Sequence, residues 1–258
     1  METGAITSYF DVAQVVLYGF WFFFAGIIYY LLRENKREGY PLESEGRGSV
    51  RVQGFPAIPE PKVYRLANGT TVAAPPGQTA EREIKAVPSA AWPGSPLEPT
   101  GDPMVDGVGP ASYALRHEAP DMTLEGLAMM VPMRIAPEFS VAEGDADPRG
   151  MWVLGADGLE AGKVSDIWVD RAEPQIRYLE VALDSPAGPQ SVLLPITLAR
   201  IDSDSRRVRV QSIKAEQFVR VPRLANPTEV TLREEDRITA YYASGNLYAD
   251  PSRLEPIL

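Results

Sequence analysis

Residues 12–32 read VAQVVLYGFWFFFAGIIYYLL, 21 positions in which Gln14 is the one strongly polar side chain. A helix rising about 1.5 Å per residue carries this stretch about 31 Å, against a bilayer hydrocarbon thickness of about 30 Å. The stretch therefore predicts a single membrane-spanning helix. A cleaved signal peptide needs a basic leader, a shorter apolar core and a small-residue cleavage site. Here the leading residues carry Glu2 and Asp11 and the exit reads Tyr-Tyr-Leu-Leu-Arg33, so an uncleaved anchor is expected. Lys and Arg flank only the exit side, as Arg33, Lys36 and Arg37. The positive-inside rule then places residues 1–11 on the periplasmic side and the bulk of the chain in the cytoplasm. Within the span, the aromatic run 20–24 covers every face of its helix, so lipid or pigment could touch all sides. Gly19 and Gly26 fall near one face, where a neighbouring backbone could approach.

Outward from the span, residues 41–148 hold 16 prolines in 108 positions. Pairs such as Pro75-Pro76, Pro93-Gly94 and Gly109-Pro110 mark turns, and few windows are long enough for a helix. The expectation for 33–149 is extended chain ordered by burial on a partner, because Phe55, Tyr64, Trp92, Tyr113 and two Met-rich patches need cover. Strands at 62–66 and 70–73 around Ala67-Asn68-Gly69 would make a hairpin. From 150 the pattern turns to regular alternation. Strands are expected at 151–154, 161–170, 176–183, 191–195 and 207–211, a spacing that predicts a small antiparallel barrel over 150–213. After Asn226-Pro227, Thr231 and Glu234 form a capping-box pattern, with Glu235 and Asp236 where the helix dipole favours anions. A helix over about 228–243, ending near Ser244-Gly245, completes a C-terminal part at 150–258. The fold class is mainly β, with one N-terminal transmembrane helix and one C-terminal helix.

Composition removes most chemistry. With no cysteine, the chain has no disulfide, thiolate nucleophile or Cys-ligated cluster, and with one histidine, His117, no multi-His metal or haem site. A net charge of −10 disfavours both nucleic acid phosphate and anionic lipid headgroups as partners of the bulk surface, and no tight cluster of basic residues is expected. Gly107-Val-Gly109 opens like a dinucleotide fingerprint, but Ser112 stands at the third glycine position. Gly162-Lys163 lacks the rest of a phosphate loop and lies in a strand. His117 near Asp121 has no placed serine for a triad and reads as a solvated loop residue. Met129, Met130 and Met133 read as packing against an irregular partner surface rather than as ligands. No catalytic residue is assigned.

One constellation could move protons. In Asp166-Ile-Trp168-Val-Asp170, alternation puts Asp166, Trp168 and Asp170 on an outward face and Ile167 and Val169 on the core face. The loop 171–175 brings Glu173 to the same hairpin tip, with Arg177 just into the return strand. On a free surface this is a salt-bridged turn. Covered by another subunit, repulsion and desolvation would raise one carboxylate's pKa and make it a proton carrier near neutral pH.

Several motifs together resemble the H subunit of the purple bacterial photosynthetic reaction centre. They are Arg33-Glu-Asn-Lys-Arg-Glu-Gly-Tyr-Pro-Leu42, Gly101-Asp-Pro-Met104, Gly107-Val-Gly-Pro-Ala-Ser112, Val131-Pro-Met133, Gly162-Lys-Val-Ser-Asp-Ile-Trp-Val-Asp170, Arg177-Tyr-Leu-Glu180 and Glu234-Glu-Asp236. The resemblance covers the whole chain. It implies a PRC-barrel core that caps the L and M subunits of a light-driven electron-transfer complex in the bacterial inner membrane. Bacteriochlorophyll, bacteriopheophytin, quinones and non-haem iron are then held by L and M and none by this chain, which is not an enzyme by itself. Membrane lipid is a further partner, and light-harvesting antenna polypeptides are candidates. Asp170, Glu173 and Arg177 match positions that help carry protons to the secondary quinone. Some members carry histidines before the Val-Pro-Met motif at a metal-binding point of proton uptake. This chain has Asp121 and Glu125 there and no histidine, so uptake uses such carboxylates or lies elsewhere, and no metal ligand is assigned. The alternative reading is a membrane-tethered PRC-barrel adaptor that recruits a cytoplasmic protein.

Overall fold

The computed structural model describes residues 11–39, 54–66, 69–76, 82–92, 95–183, 188 and 190–254. The expected periplasmic residues 1–10 and the stretch 40–53 lie outside them, as do Ala67 and Asn68 of the first hairpin turn. Two compact units result: residues 1–81 with 89–96, and residues 82–88 with 97–258.

In the first unit, helix α1 (Val12–Arg37) is apolar, and no side chain of it is buried within the chain. Gln14, the polar exception, closes a capping box: Asp11 Oδ1 accepts the Gln14 N–H at 2.7 Å, and Gln14 Oε1 accepts the Asp11 N–H at 3.3 Å. The helix runs five residues past the apolar stretch because its last turn is tied to the chain that follows. Lys36 Nζ donates to the carbonyls of Gly54 (2.9 Å) and Pro56 (2.6 Å), and Arg37 Nε to that of Glu60 (2.9 Å). Two of the three flanking cations thus satisfy carbonyls of extended chain that has no ladder of its own. Strands β1 (Lys62–Arg65) and β2 (Thr71–Ala74) pair antiparallel, near the expected bounds, with Gly69 in the left-handed region at φ +83°.

The second unit opens with a short hairpin, β3 (Ala86–Pro88) and β4 (Leu97–Pro99). Next comes the one-turn helix α2 (Pro103–Asp106), which Asp102 caps at the Met104 N–H and Gly107 ends at φ +71°. Its main sheet follows the order β10 (Ala199–Asp202), β11 (Arg207–Val210), β6 (Trp152–Leu154), β7 (Glu160–Asp170), β8 (Gln175–Leu183), β9 (Gln190–Pro195), with β5 (Met130–Pro132) paired to β7. Neighbours are antiparallel except β11 and β6, which run parallel. Among the described residues β9 and β10 do not pair, so the barrel stays open there. Trp168, Tyr242, Phe218, Met151, Ile167 and Leu179 fill the core.

Helix α3 (Leu232–Tyr248) starts later than the expected 228, because Asn226 Oδ1 takes the Thr228 N–H and hydroxyl into a local turn. The Thr231–Glu234 capping box forms as the sequence indicates. The helix also runs through Ser244-Gly245. A Cβ on Gly245 would lie 2.3 Å from the Ser212 carbonyl oxygen, so this glycine permits close contact between the helix and the chain just after β11 and does not end the helix.

Two side-chain expectations are corrected. Met130 and Met133 are buried in this chain's own core rather than on a partner surface. The Asp166, Trp168 and Asp170 side chains do not face outward: all three are buried, as are Ile167 and Val169. Register shifts between Val164 and Asp166 and between Trp168 and Val169 break the strict two-residue period. Arg134 closes over Asp166 and Glu180, and α3 reaches Tyr178, the cross-strand partner of Trp168.

Candidate functional site

The β7–β8 hairpin tip is organised by Asp170, the last residue of β7 and 1% exposed. Its Oδ1 accepts the N–H groups of Ala172 (2.9 Å) and Glu173 (3.0 Å), and its Oδ2 faces Arg177 Nη2 at 3.4 Å. A carboxylate at this depth is held by hydrogen bonds on one oxygen and an ion pair on the other. Glu173 contributes its backbone N–H to that cradle, while its own exposed carboxylate turns away and accepts from Gln175 Nε2 at 2.9 Å. The structure therefore joins Asp170 and Arg177 directly and Glu173 only through the backbone.

The tip is pinned to the segment ahead of it. The Arg171 N–H donates to the Met129 carbonyl (2.9 Å), and the Met129 N–H to that of Asp121 (2.8 Å). Asp121 is exposed, its Oδ1 accepting the Met122 N–H at 2.9 Å. Glu125 lines a separate dip with Thr123, Glu138, Phe139 and Arg171. The Thr123 hydroxyl and the local backbone N–H hold its carboxyl below the usual range.

Arg177 leads into a cleft of about 340 Å³ lined by Arg116, Arg177, Tyr178, Glu235, Asp236 and Thr239. There the Tyr178 hydroxyl donates to Glu235 Oε1 at 2.9 Å, and Arg116 Nη1 to Asp236 Oδ1 at 3.3 Å. Burial pushes the Glu235 carboxyl above its ordinary value. The Tyr178 bond and the charges of Arg116 and Arg177 oppose that rise, and the charge of Asp121 adds to it. The Tyr178 phenol is raised too, first by burial and then by the Glu235 charge. A half-buried acid with a raised pKa, one hydrogen-bond partner and charges of both signs around it can take up and release a proton at a pH where exposed carboxylates stay ionised.

Glu235 is the site residue that the sequence reading missed, having assigned it to the helix dipole. The signal was in the register: residues 235, 238, 242 and 245 share one helical stripe, and Ile238, Tyr242 and Gly245 on it are buried. A carboxylate in line with a buried stripe is one that folding desolvates. The folded chain holds the Glu235 proton more tightly than the open chain, so between the two pKa values folding takes up a proton and stability falls as pH rises. Glu235→Gln should abolish that fall, and infrared titration should lose a protonated-carboxyl band that wild type keeps above the ordinary glutamate range. A band unchanged in the variant would assign it to another acid.

A second, partly buried network occupies β7 farther from the tip. Arg134 Nη1 donates to Asp166 Oδ2 (3.0 Å) and Glu180 Oε2 (2.6 Å), its Nη2 to the Pro227 carbonyl, and Trp168 Nε1 to Glu180 Oε2 (3.0 Å). Arg177 and Glu235 thus line one cleft, Asp170 adjoins it through its ion pair with Arg177, Asp121 reaches Glu235 only through its charge, and Glu125 stands apart. Among the described residues no group of His, Asp and Glu is arranged to hold a metal ion.

Comparison with known families fits this division of the chain. The model of the photosynthetic reaction centre H-chain N-terminal region matches residues 4–135. The PRC-barrel domain model matches residues 141–217, which take in strands β6 to β11. Since the first match alone spans just over half of the residues and the second follows it in order, the chain belongs to the photosynthetic reaction centre H-chain family and carries a PRC-barrel domain.

Proposed function

We propose that this reaction-centre subunit caps the L and M subunits on the cytoplasmic side and relays protons toward the secondary quinone. The observation that carries the relay is the half-buried Glu235, bonded to Tyr178 beside Arg177 and Asp170. A relay needs groups that exchange protons in sequence, each close to the next and none trapped as a permanent ion. Exposed Asp121 and Glu173 are suited to collect protons at the rim, with Glu125 feeding the neighbouring dip. Glu235 is suited to hold one inside, and Arg177 fixes Asp170 and tempers the charge left behind. The second reduction of a quinone draws protons, whereas charge separation does not, so the relay acts late in the photochemical cycle.

The capping role rests on the family and on α1, whose apolar side chains are unburied and, apart from Tyr29 stacked against Phe55, available to lipid or neighbouring helices. Its exit-side cations, Arg33, Lys36 and Arg37, support a topology with residues 33–258 in the cytoplasm and the N-terminus in the periplasm. Gentle solubilisation and purification through a tag on this chain test the assignment. Bacteriochlorophyll absorption should co-purify with it, carried by L and M. A colourless preparation from pigmented membranes would favour the adaptor reading instead.

A further inference from the structure

On the outer face of the sheet, at the β10–β11 end, cations gather on a protein whose net charge is −10. Arg200 of β10 and Arg209 of β11 are direct cross-strand partners, and Arg207 pairs in register with Trp152, which pairs in turn with Lys163. Lys163 Nζ lies 4.2 Å from the centroid of the Trp152 ring. Arg206 extends the row at the hairpin turn, in the left-handed region at φ +50° where glycine or asparagine would be less strained. Against these five stand Asp202, 3.6 Å from Arg209, Asp204 in the turn, Asp147, whose carboxyl feels the Arg206 charge, and Glu160 at the far end opposite Leu154. Asp202 is divided, since its Oδ1 also accepts the Ser205 N–H at 3.0 Å.

Like charges directly opposite across two strands oppose pairing, and here they are two guanidiniums on a short edge hairpin. Beside them is a dip of about 490 Å³ lined by Arg200, Asp202, Ser203, Arg209 and Gln211. Two guanidinium forks, an amide and a hydroxyl offer many donors, and among the described residues that line the dip Asp202 is the one carboxylate. That is the donor set that binds a phosphate group through several charge-assisted bonds at once.

From this juxtaposition we propose that the β10–β11 face is a binding site for a phosphate-bearing anion, with Arg200 and Arg209 as its clamp and Arg207 and Lys163 as flanking charges. The chemistry is shared by a free polyphosphate and by an anionic phospholipid headgroup. Binding removes the Arg200–Arg209 repulsion and holds β10 to β11, so the ligand's effect should appear as protection of that hairpin. The proposal stands apart from the proton relay, which uses the hairpin tip and cleft at β7, β8 and α3.

Backbone hydrogen exchange at residues 199–210 of the full chain tests it, at constant ionic strength. Inorganic pyrophosphate at ten times its Kd should slow exchange there about tenfold relative to chloride, by linkage. The other arm compares nanodiscs of phosphatidylcholine with nanodiscs containing phosphatidylglycerol. Slowing by pyrophosphate identifies a free phosphate as ligand, and slowing only with phosphatidylglycerol identifies a headgroup. Either result supports the site if Arg200→Gln with Arg209→Gln removes the slowing while exchange in β7 and β8 is unchanged. No slowing in either arm, or equal slowing in the double variant, overturns the proposal.

Discussion

Trp168→Ala should lower the stability of the sheet domain by about 3–5 kcal/mol, the range for emptying a fully buried aromatic site. Trp168 is 0% exposed and lies between Asp166 and Asp170 on the strand that β5 and β8 both pair with. Its indole fills the core and donates to Glu180 Oε2 at 3.0 Å, so alanine leaves both a cavity and a carboxylate deprived of one donor. Trp168→Phe restores most of the packing but not the donor, and should cost about 1–2 kcal/mol. Thermal unfolding of the full chain in detergent checks both. A loss of about 10 °C is expected for alanine, with a smaller loss for phenylalanine. Equal losses would mean that the hydrogen bond, rather than the packing, dominates.

Arg134→Ala should have the next largest effect, a loss of about 2–3 kcal/mol, below the usual range for breaking a buried pair because the Arg134 side chain is 39% exposed. One guanidinium serves Asp166, Glu180 and the Pro227 carbonyl, and its backbone N–H also reaches Asp166 Oδ2 at 3.2 Å. Removing it leaves two carboxylates facing each other with little solvent between them and the core. If that uncompensated charge is the cause, Arg134→Met combined with Asp166→Asn and Glu180→Gln should recover more than half of the loss. Denaturant unfolding of the single and triple variants separates the cases, because losses that merely add would point to packing alone.

The parts of this fold that could be read from the sequence are those whose pattern is local. An uninterrupted apolar stretch predicted α1, and period-two runs between Gly and Asp turns predicted β6 to β9 and β11. The Thr231–Glu234 box placed the start of α3 better than the Asn226-Pro227 break did. Strand β10 escaped notice because it follows directly on the single turn 196–198, with no Gly, Asn or Asp to mark its start. Strand β5 escaped because it ends in Pro132, which argues against a sheet interior.

The site was legible to the extent that it is a hairpin. Asp170 and Arg177 could be paired from the length of the turn alone. That Glu173 would contribute its N–H and not its carboxylate depended on Asp170 being too deep to leave its own oxygens unbonded. Glu235 comes from a helix 57 residues beyond Tyr178, and no local pattern announces which strand a helix will cover. The burial of Asp166 and Asp170 was hidden for the same reason: the cover is non-local.

Flash spectroscopy of the intact complex tests the central claim most directly, with the first and second electron transfers to the secondary quinone timed separately. The variants are Asp170→Asn with Glu235→Gln, Glu173→Gln alone, and Glu216→Gln as an exposed control on the 215–220 turn. Asparagine at 170 keeps an oxygen for the Ala172 and Glu173 N–H groups, so the hairpin tip is preserved while its carboxylate is lost. The account predicts that the double variant slows the second, proton-coupled transfer about tenfold or more and that Glu173→Gln slows it less. The first transfer and the control should remain at the wild-type rate. Second-transfer rates equal in wild type and the double variant would contradict it, and would leave Asp170, Arg177 and Glu235 as a structural cluster.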